Sequence, residues 1–323
     1  MKYIFLVGAG NMGSRHLQAL KAVKEPLSIT VIDRSSESLS LAQTYFEGAK
    51  PENHSHHISY KTEIPTYDKP IDLVIVATRS DTRRYVIEQI LEKNSCRFFL
   101  LEKLLFQKEK DYRAVGILFK KQGIKAWVNC RMRTIPCYQQ MRQEKPFQKI
   151  VYQVGSGQLG LATSAIHFLD HVVYLTDCTD FTLDTTLLES KPIKSKRQGF
   201  LELAGTLTAR FKNGSIIIIT RYPSGDEPFV VSIMTESSAY IVRETDEKIW
   251  MTERKNDWKW REEEVIIPFQ SIKTTWLVEE ILQTGNCRAV TFDDSVKTHL
   301  QVLEPLRLFL NKHGENYDYY PFT

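Results

Sequence analysis

Six residues, Gly8-Ala9-Gly10-Asn11-Met12-Gly13, constrain this 323-residue chain more than any other stretch. They close a short apolar run, "KYIFLV", and open a segment of helical periodicity expected from about Met12 to Val23. A G-x-G-x-x-G alone is weak evidence. Here it sits at a strand-to-helix turn, and the next strand, "SITVID", ends in an acidic residue, Asp33, about twenty positions on. In that context each glycine has a task. Gly8 permits the tight turn, Gly10 lets backbone approach a pyrophosphate, and Gly13 lets the helix close on the strand. The helix N-terminus adds free N–H groups for the anion. These features predict a dinucleotide site. Asp33 would accept hydrogen bonds from ribose hydroxyls and repel a 2′-phosphate, so NAD is the expected cofactor. Arg34 follows directly and could hold such a phosphate, which keeps NADP as the less favoured alternative.

The pattern beyond the loop alternates strand and helix. "SSESLSLAQTYF" reads as a helix with a serine start, "IDLVIVAT" as a β-branched strand, and "SDTRRYVIEQILEKN" as a helix capped by Ser80 or Asp81. "RFFLL", "KEKDYRAVGILFKKQG" and "IKAWVN" continue as strand, helix and strand. This alternation predicts a doubly wound parallel sheet, a Rossmann domain over residues 1–125. Strand-like runs then dominate: "KIVYQVGSG", "DTTLLES", "GFLELAGTLTARFKNGSIIIITRY", "PFVVSIMTES", "AYIVRETDEKIWMTE" and "EEVIIPF". One clear helix, "TSAIHFLDHVVYLTD", interrupts them. Residues 126–323 are therefore expected to form an α+β domain with an open, mostly antiparallel sheet, and a last helix, 292–312, packing back on the body. The exposed sheet face is a natural surface for a homo-oligomer, a dimer or tetramer.

Bulk composition removes several function classes. Forty-three basic against thirty-nine acidic residues leave a net charge of +4, too small and dispersed for a nucleic-acid partner. No stretch reaches membrane-spanning length, and the apolar start enters a glycine turn at once, unlike a signal peptide. Five scattered cysteines without a CxxC read as free thiols of a reducing cytoplasm. "NHSHH", with His54, His56 and His57, lies in a polar loop and lacks a convergent fourth metal ligand. Arg15 and His16, just after the glycine loop, read as helix solvation, with a phosphate contact open to Arg15.

One run resists the simple strand reading. "FFLLEKLLF" places Glu102 and Lys103 between apolar residues, and two charges are not buried without a use. A strand ending in Ala77-Thr78, a helix, then a strand ending in Glu-Lys resembles the Gfo/Idh/MocA oxidoreductases, whose hallmark here is Glu-Lys-Pro. The resemblance runs essentially end to end. It includes Gly-x-Gly-Asn-Met-Gly with Asn11 and Met12, Asp33, the segment "VNCRMRTIPCYQ" with Pro136, and "SGQLGLATSAIHFLDHVVYLT", similar to the family's His-x-x-Asp helix. It is especially similar to the subgroup found in surface-sugar gene clusters.

What the resemblance implies is specific. Lys103 would lie over the nicotinamide and against the substrate hydroxyl, and Glu102 would orient the local backbone and the cofactor. His167 would be the general acid/base, with Asp170 one helical turn on to orient it or to contact a sugar. Thr163 stands where the family often has an aspartate, and Leu104 where it has proline. Arg131 and Arg133 could hold a substrate carboxylate or phosphate, or form a salt bridge between domains. The implied reaction is hydride transfer between NAD(P) and a sugar, amino-sugar or nucleotide-sugar carbon. A non-catalytic nucleotide-binding sensor or scaffold, and a dehydrogenase or reductase of a non-sugar substrate, are the alternatives.

Overall fold

The computed structural model describes residues 1–49, 55–142 and 145–323, which leaves His54 outside the described residues. Two compact units divide the chain: Met1–Cys130 with Pro268–Ser295, and Arg131–Ile267 with Val296–Thr323. They are not contiguous in sequence, whereas the residue pattern alone suggests a single boundary near residue 125.

In chain order the first unit holds β1 (Lys2–Val7), α1 (Asn11–Leu20), β2 (Leu27–Ile32), α2 (Ser36–Glu47), β3 (His57–Lys61) and β4 (Ile71–Val76). It continues through α3 (Arg83–Lys93), β5 (Cys96–Leu101), α4 (Glu109–Gln122) and β6 (Lys125–Val128). The second unit holds α5 (Pro136–Arg142), β7 (Val151–Ser156), α6 (Leu161–Thr176), β8 (Phe181–Asp184), β9 (Ile193–Lys194), β10 (Leu201–Glu202) and β11 (Gly205–Phe211). Then come β12 (Ile216–Arg221), β13 (Val230–Met234), β14 (Ser238–Arg243), β15 (Lys248–Glu253) and β16 (Arg261–Glu264). The chain returns to the first unit through α7 (Gln270–Thr284) and β17 (Val290–Thr291), and ends with α8 (Phe292–Lys312).

The first unit's sheet has the order β17-β6-β5-β4-β1-β2-β3. Strands β1 to β6 run parallel, and β17 joins β6 antiparallel. This is a doubly wound Rossmann sheet, and its order reverses between β1 and β4. Helices on both faces explain the near-continuous apolar runs: Ile4 to Val7 and Leu73 to Val76 are all buried. The second sheet has eight strands, ordered β16-β15-β14-β13-β7-β12-β11-β8, antiparallel except for the β7–β12 pair. Helix α6 covers one face, with Tyr152 of β7 bonded to His171 at 3.1 Å. The other face exposes Val151, Ile216 and Met234, which are neighbours in register. Among the described residues no helix is long and apolar enough to cross a membrane, and all five cysteines are free thiols.

Five local expectations change. Helix α3 begins one residue later than the expected caps, after Thr82, with no side-chain cap bond. Asp81 is taken up by Arg79, at 2.6 Å, and Ser80 is buried. Strand β3 and helix α7 have no counterpart in the sequence reading. "DTTLLES" leaves the sheet after Asp184, and the second unit's sheet ends in chain order with Arg261–Glu264 rather than the apolar run behind it.

Candidate functional site

The glycine loop sits at the carboxyl edge of β1, where the strand order reverses. Gly8 has φ +97°, a conformation that L side chains rarely adopt. A Cβ there would lie 2.9 Å from the Ala77 carbonyl carbon and the Thr78 nitrogen. A Cβ on Gly13 would collide with the Gly8 carbonyl oxygen. The chain's own packing thus demands both glycines. Gly10 differs, because a Cβ there would meet nothing within 4 Å. Its smallness serves no contact inside the protein and leaves room for a ligand. A Gly13→Ala change is expected to cost about 3 kcal/mol, the upper part of the overpacking range. Gly10→Ala should cost below about 1 kcal/mol. Chemical denaturation of the two variants checks the contrast, and equal losses would refute it.

Above this loop opens a cleft of about 1300 Å³, lined by Gly8, Gly10, Asp33, Arg34, Thr78 and Tyr85 among others. Asp33 does more than face the cleft. Its Oδ2 accepts the Ala9 N–H at 2.7 Å and its Oδ1 accepts the Ser35 N–H at 2.9 Å. The carboxylate therefore ties the end of β2 to the glycine loop and still has lone pairs for a further donor. Arg34 lies over the Tyr85 ring, 5.7 Å from its centroid. The buried Thr78 hydroxyl has no hydrogen-bond partner among the described residues. Asn11 is exposed and Met12 half-buried at the start of α1.

"FFLLEKLLF" divides at the same edge. Leu101 ends β5, Glu102 is buried, Lys103 is half-buried, and Leu104 to Phe106 are buried again. The Lys103–Leu104 peptide is cis. Glu102 is the centre of a buried polar chain. Its Oε1 bonds His16 Nε2 at 2.9 Å and accepts from Asn129 Nδ2 at 2.5 Å. His16 Nδ1 meets Thr274 Oγ1 of α7 at 2.8 Å. Burial would raise the carboxyl pKa. The bond and charge of His16, the Asn129 donor and the Lys103 charge outweigh it and hold Glu102 below its ordinary value. Solvation of helix α1 is thus the wrong reading for His16, which is fully buried; Arg15 is the exposed neighbour.

The second unit carries its candidates on α6. This helix is buried along most of its length; Thr163, Ser164, His167 and Tyr174 are its half-buried residues. Thr163 and His167 stand one turn apart on one stripe. Glu202, from β10, comes to the start of that stripe. It accepts the Ala162 N–H at 2.9 Å, the Thr163 N–H at 3.3 Å, and the Thr163 hydroxyl. A carboxylate from a neighbouring strand therefore stands beside Thr163.

Asp170 is paired within the second unit. It is 1% exposed and accepts two bonds from Arg133, both 2.8 Å. Arg131 bonds Glu244, whose other oxygen accepts the Tyr138 hydroxyl at 3.1 Å. Both arginines thus pair with carboxylates of the second unit. His171 is structural: burial, then the charges of Arg133 and Arg131, drive its pKa to about 3, so it stays neutral. Glu202 and Glu244 are invisible in the sequence because neither belongs to a local motif. His56 accepts the Leu27 N–H at 3.1 Å through Nδ1, and His57 opens β3.

Loop, acidic strand end and cleft together define a Rossmann nucleotide-binding domain. The family comparison agrees in kind: residues 2–130 match the Gfo/Idh/MocA model, described as an oxidoreductase family with an NAD-binding Rossmann fold. Residues 2–130 thus form a Rossmann-fold NAD-binding domain. No curated protein matches the sequence. Solved structures of similar fold include UDP-N-acetylglucosamine 3-dehydrogenase GnnA from Acidithiobacillus ferrooxidans. It is 13% identical with a TM-score of 0.71, over 96% of this chain and 98% of that one. An oxidoreductase from Agrobacterium radiobacter, in complex with NAD+, L-tartaric acid and magnesium, is 16% identical with a TM-score of 0.68, over 93% and 94%. Biliverdin reductase from Synechocystis, in complex with biliverdin and NADP+, is 14% identical with a TM-score of 0.68, over 96% and 99%. At these identities the likeness concerns the fold.

Proposed function

We propose that this protein is an NAD-dependent dehydrogenase or reductase that moves hydride to or from a CH–OH carbon of a sugar, amino-sugar or nucleotide-sugar. One observation carries the reading. A glycine cradle that the protein's own packing leaves open at Gly10 sits at the sheet's switch point, with Asp33 and the unpartnered Thr78 hydroxyl beside it. Gly8, Gly10, Asn11, Met12 and Gly13 would hold the pyrophosphate, Asp33 the ribose, and Ala77 and Thr78 the rim. NAD is preferred because the Asp33 carboxylate borders the cleft, while Arg34 is engaged with Tyr85. The bound nicotinamide supplies the hydride donor or acceptor.

The chain's own residues then have separate tasks. Lys103 polarises the substrate oxygen, with Glu102 fixing the backbone from which it projects. His167 exchanges the hydroxyl proton, since an imidazole titrates near neutral pH. Thr163, held by Glu202, can bond a substrate hydroxyl from the same stripe of α6. Asp170 positions Arg133 and the helix and makes no substrate contact. The exposed neighbours Val151, Ile216 and Met234 support a homo-oligomer, a dimer or tetramer. The cytoplasm is the compartment that suits free thiols. GnnA and biliverdin reductase share the fold yet act on unlike molecules, so fold carries no substrate, and a panel must include non-sugar carbonyls.

The test joins binding to turnover. Fluorescence titration with NADH and NADPH is expected to show tighter NADH binding. Nicotinamide absorbance then follows turnover over a panel of UDP-sugars and free sugars. Lys103→Met is expected to lose about 100-fold or more in turnover while NADH affinity stays within about threefold. Full activity in that variant removes the lysine from the mechanism. NADH binding without turnover on any compound supports the sensor alternative.

A further inference from the structure

Lys103 hangs from a segment with an unusual problem. Leu104, Leu105 and Phe106 follow the end of β5 and belong to no strand or helix, yet they are 0–1% exposed. Buried carbonyls outside a ladder must find donors elsewhere. Leucine, unlike proline, does not fix φ through its own ring. The backbone after the lysine therefore needs an outside constraint.

Arg83 supplies it. This residue opens α3, and its side chain is 2% exposed, among the largest fully buried groups of the protein. Its guanidinium donates to the carbonyls of Leu104, of Leu105 at 3.0 Å, and of Thr78. Two of these carbonyls lie directly after Lys103. The third belongs to the Thr78 rim of the nucleotide cleft. Tyr112 adds a second hold, donating to the Phe106 carbonyl at 3.0 Å and accepting the Phe106 N–H at 3.3 Å. A planar fork suits three converging acceptors, which a point-like ammonium does not. What this cation adds is a rigid link between two loops.

We propose that Arg83 is a positioning residue: it clamps the Lys103-Leu104-Leu105 backbone to the Thr78 rim and so aims the Lys103 amine at the cleft. The inference rests on the reading of Lys103 given under Proposed function. Small misplacements of a reacting group are expensive, about 100-fold in rate for an ångström. The clamp need not touch substrate or cofactor to matter.

Chemical modification tests this without a known substrate. Trinitrobenzenesulfonate modifies lysines, and peptide mass spectrometry reports Lys103 separately across a pH series, with and without NADH. In the native protein NADH is expected to protect Lys103. In Arg83→Met the protection should fall about tenfold, while the NADH dissociation constant moves less than about threefold. Arg83→Lys should fall between the two. Leu104→Pro, added to Arg83→Met, should restore part of the protection, because the ring fixes the backbone that the arginine held. A merely structural arginine would not be rescued this way. Native protection retained in Arg83→Met overturns the clamp; if that variant does not fold, native protection retained in Arg83→Lys overturns it equally. A native Lys103 that NADH leaves unprotected overturns the reading of the site, and the clamp with it. A protected native lysine with unchanged variants overturns the clamp alone.

Discussion

Asp170→Ala is expected to destabilise the second unit by about 3–5 kcal/mol, the cost of stripping one partner from a buried ion pair. The geometry explains the size. Asp170 is 1% exposed, and both of its oxygens meet the Arg133 fork at 2.8 Å. The Arg133 guanidinium also lies 5.3 Å from the centroid of the Tyr174 ring, so it is held on two sides. Without the carboxylate it remains in place as an uncompensated charge beside neutral His171. Asp170→Asn should cost less, because an amide oxygen still accepts one bond. Replacing both partners, as Asp170→Leu with Arg133→Met, should recover most of the loss, since no charge is then stranded. Hydrogen exchange resolved by peptide reports the second unit by itself. A loss below about 1 kcal/mol in Asp170→Ala would contradict the buried pair. It would return Asp170 to the substrate-facing role that the His-x-x-Asp pattern suggests.

The Asp170 pair marks where sequence stops being informative, since its partner Arg133 lies 37 residues away. The Rossmann sheet is legible because its evidence is local: apolar strands, a glycine turn, an acid at the next strand end. Gly8 and Gly13 follow directly, since their reasons lie within a few residues of the turn. The Glu-Lys pair is legible as an anomaly, because charges inside an apolar run need an explanation. Its partners are not. His16, Asn129 and Thr274 come from three separate stretches of chain, up to 258 residues from one another, and nothing in their neighbourhoods announces a shared centre. Helix α7 was hidden for a related reason. Thr274 and Thr275 weaken its helical signature, yet their hydroxyls bond His16 and the Ala19 carbonyl, so the residues that obscure the helix are those that dock it. Glu202 shows the converse limit. Nothing beside Thr163 in sequence announces a carboxylate, yet Glu202, 39 residues away, bonds it in the fold.

Glu102→Ala is expected to cost the first unit about 3–5 kcal/mol, and Glu102→Gln roughly 1–2 kcal/mol. One carboxylate oxygen serves both His16 and Asn129, so alanine leaves two buried donors stranded at once. Glutamine keeps an acceptor at that point and loses the charge. The distinction predicts a pH signature. The folded pKa of Glu102 lies below its ordinary value of 4.5 despite burial, because the His16, Asn129 and Lys103 interactions together outweigh desolvation. A depressed carboxyl contributes stability that is present above the unfolded pKa and is lost as pH falls through the folded one. The native protein should therefore lose stability more steeply than Glu102→Gln as pH falls below about 4.5, and the two curves should run parallel above about pH 6. Peptide-resolved hydrogen exchange over a pH series separates this from acid effects in the second unit. Protection lost in α1, β5 and α7 together would identify the chain Thr274–His16–Glu102–Asn129 as one cooperative unit. Loss confined to β5 would mean that Glu102 stabilises its own strand alone. In the cooperative case the glycine helix and the lysine strand share one buried anion. Whatever loads the loop then acts on the same element from which Lys103 projects.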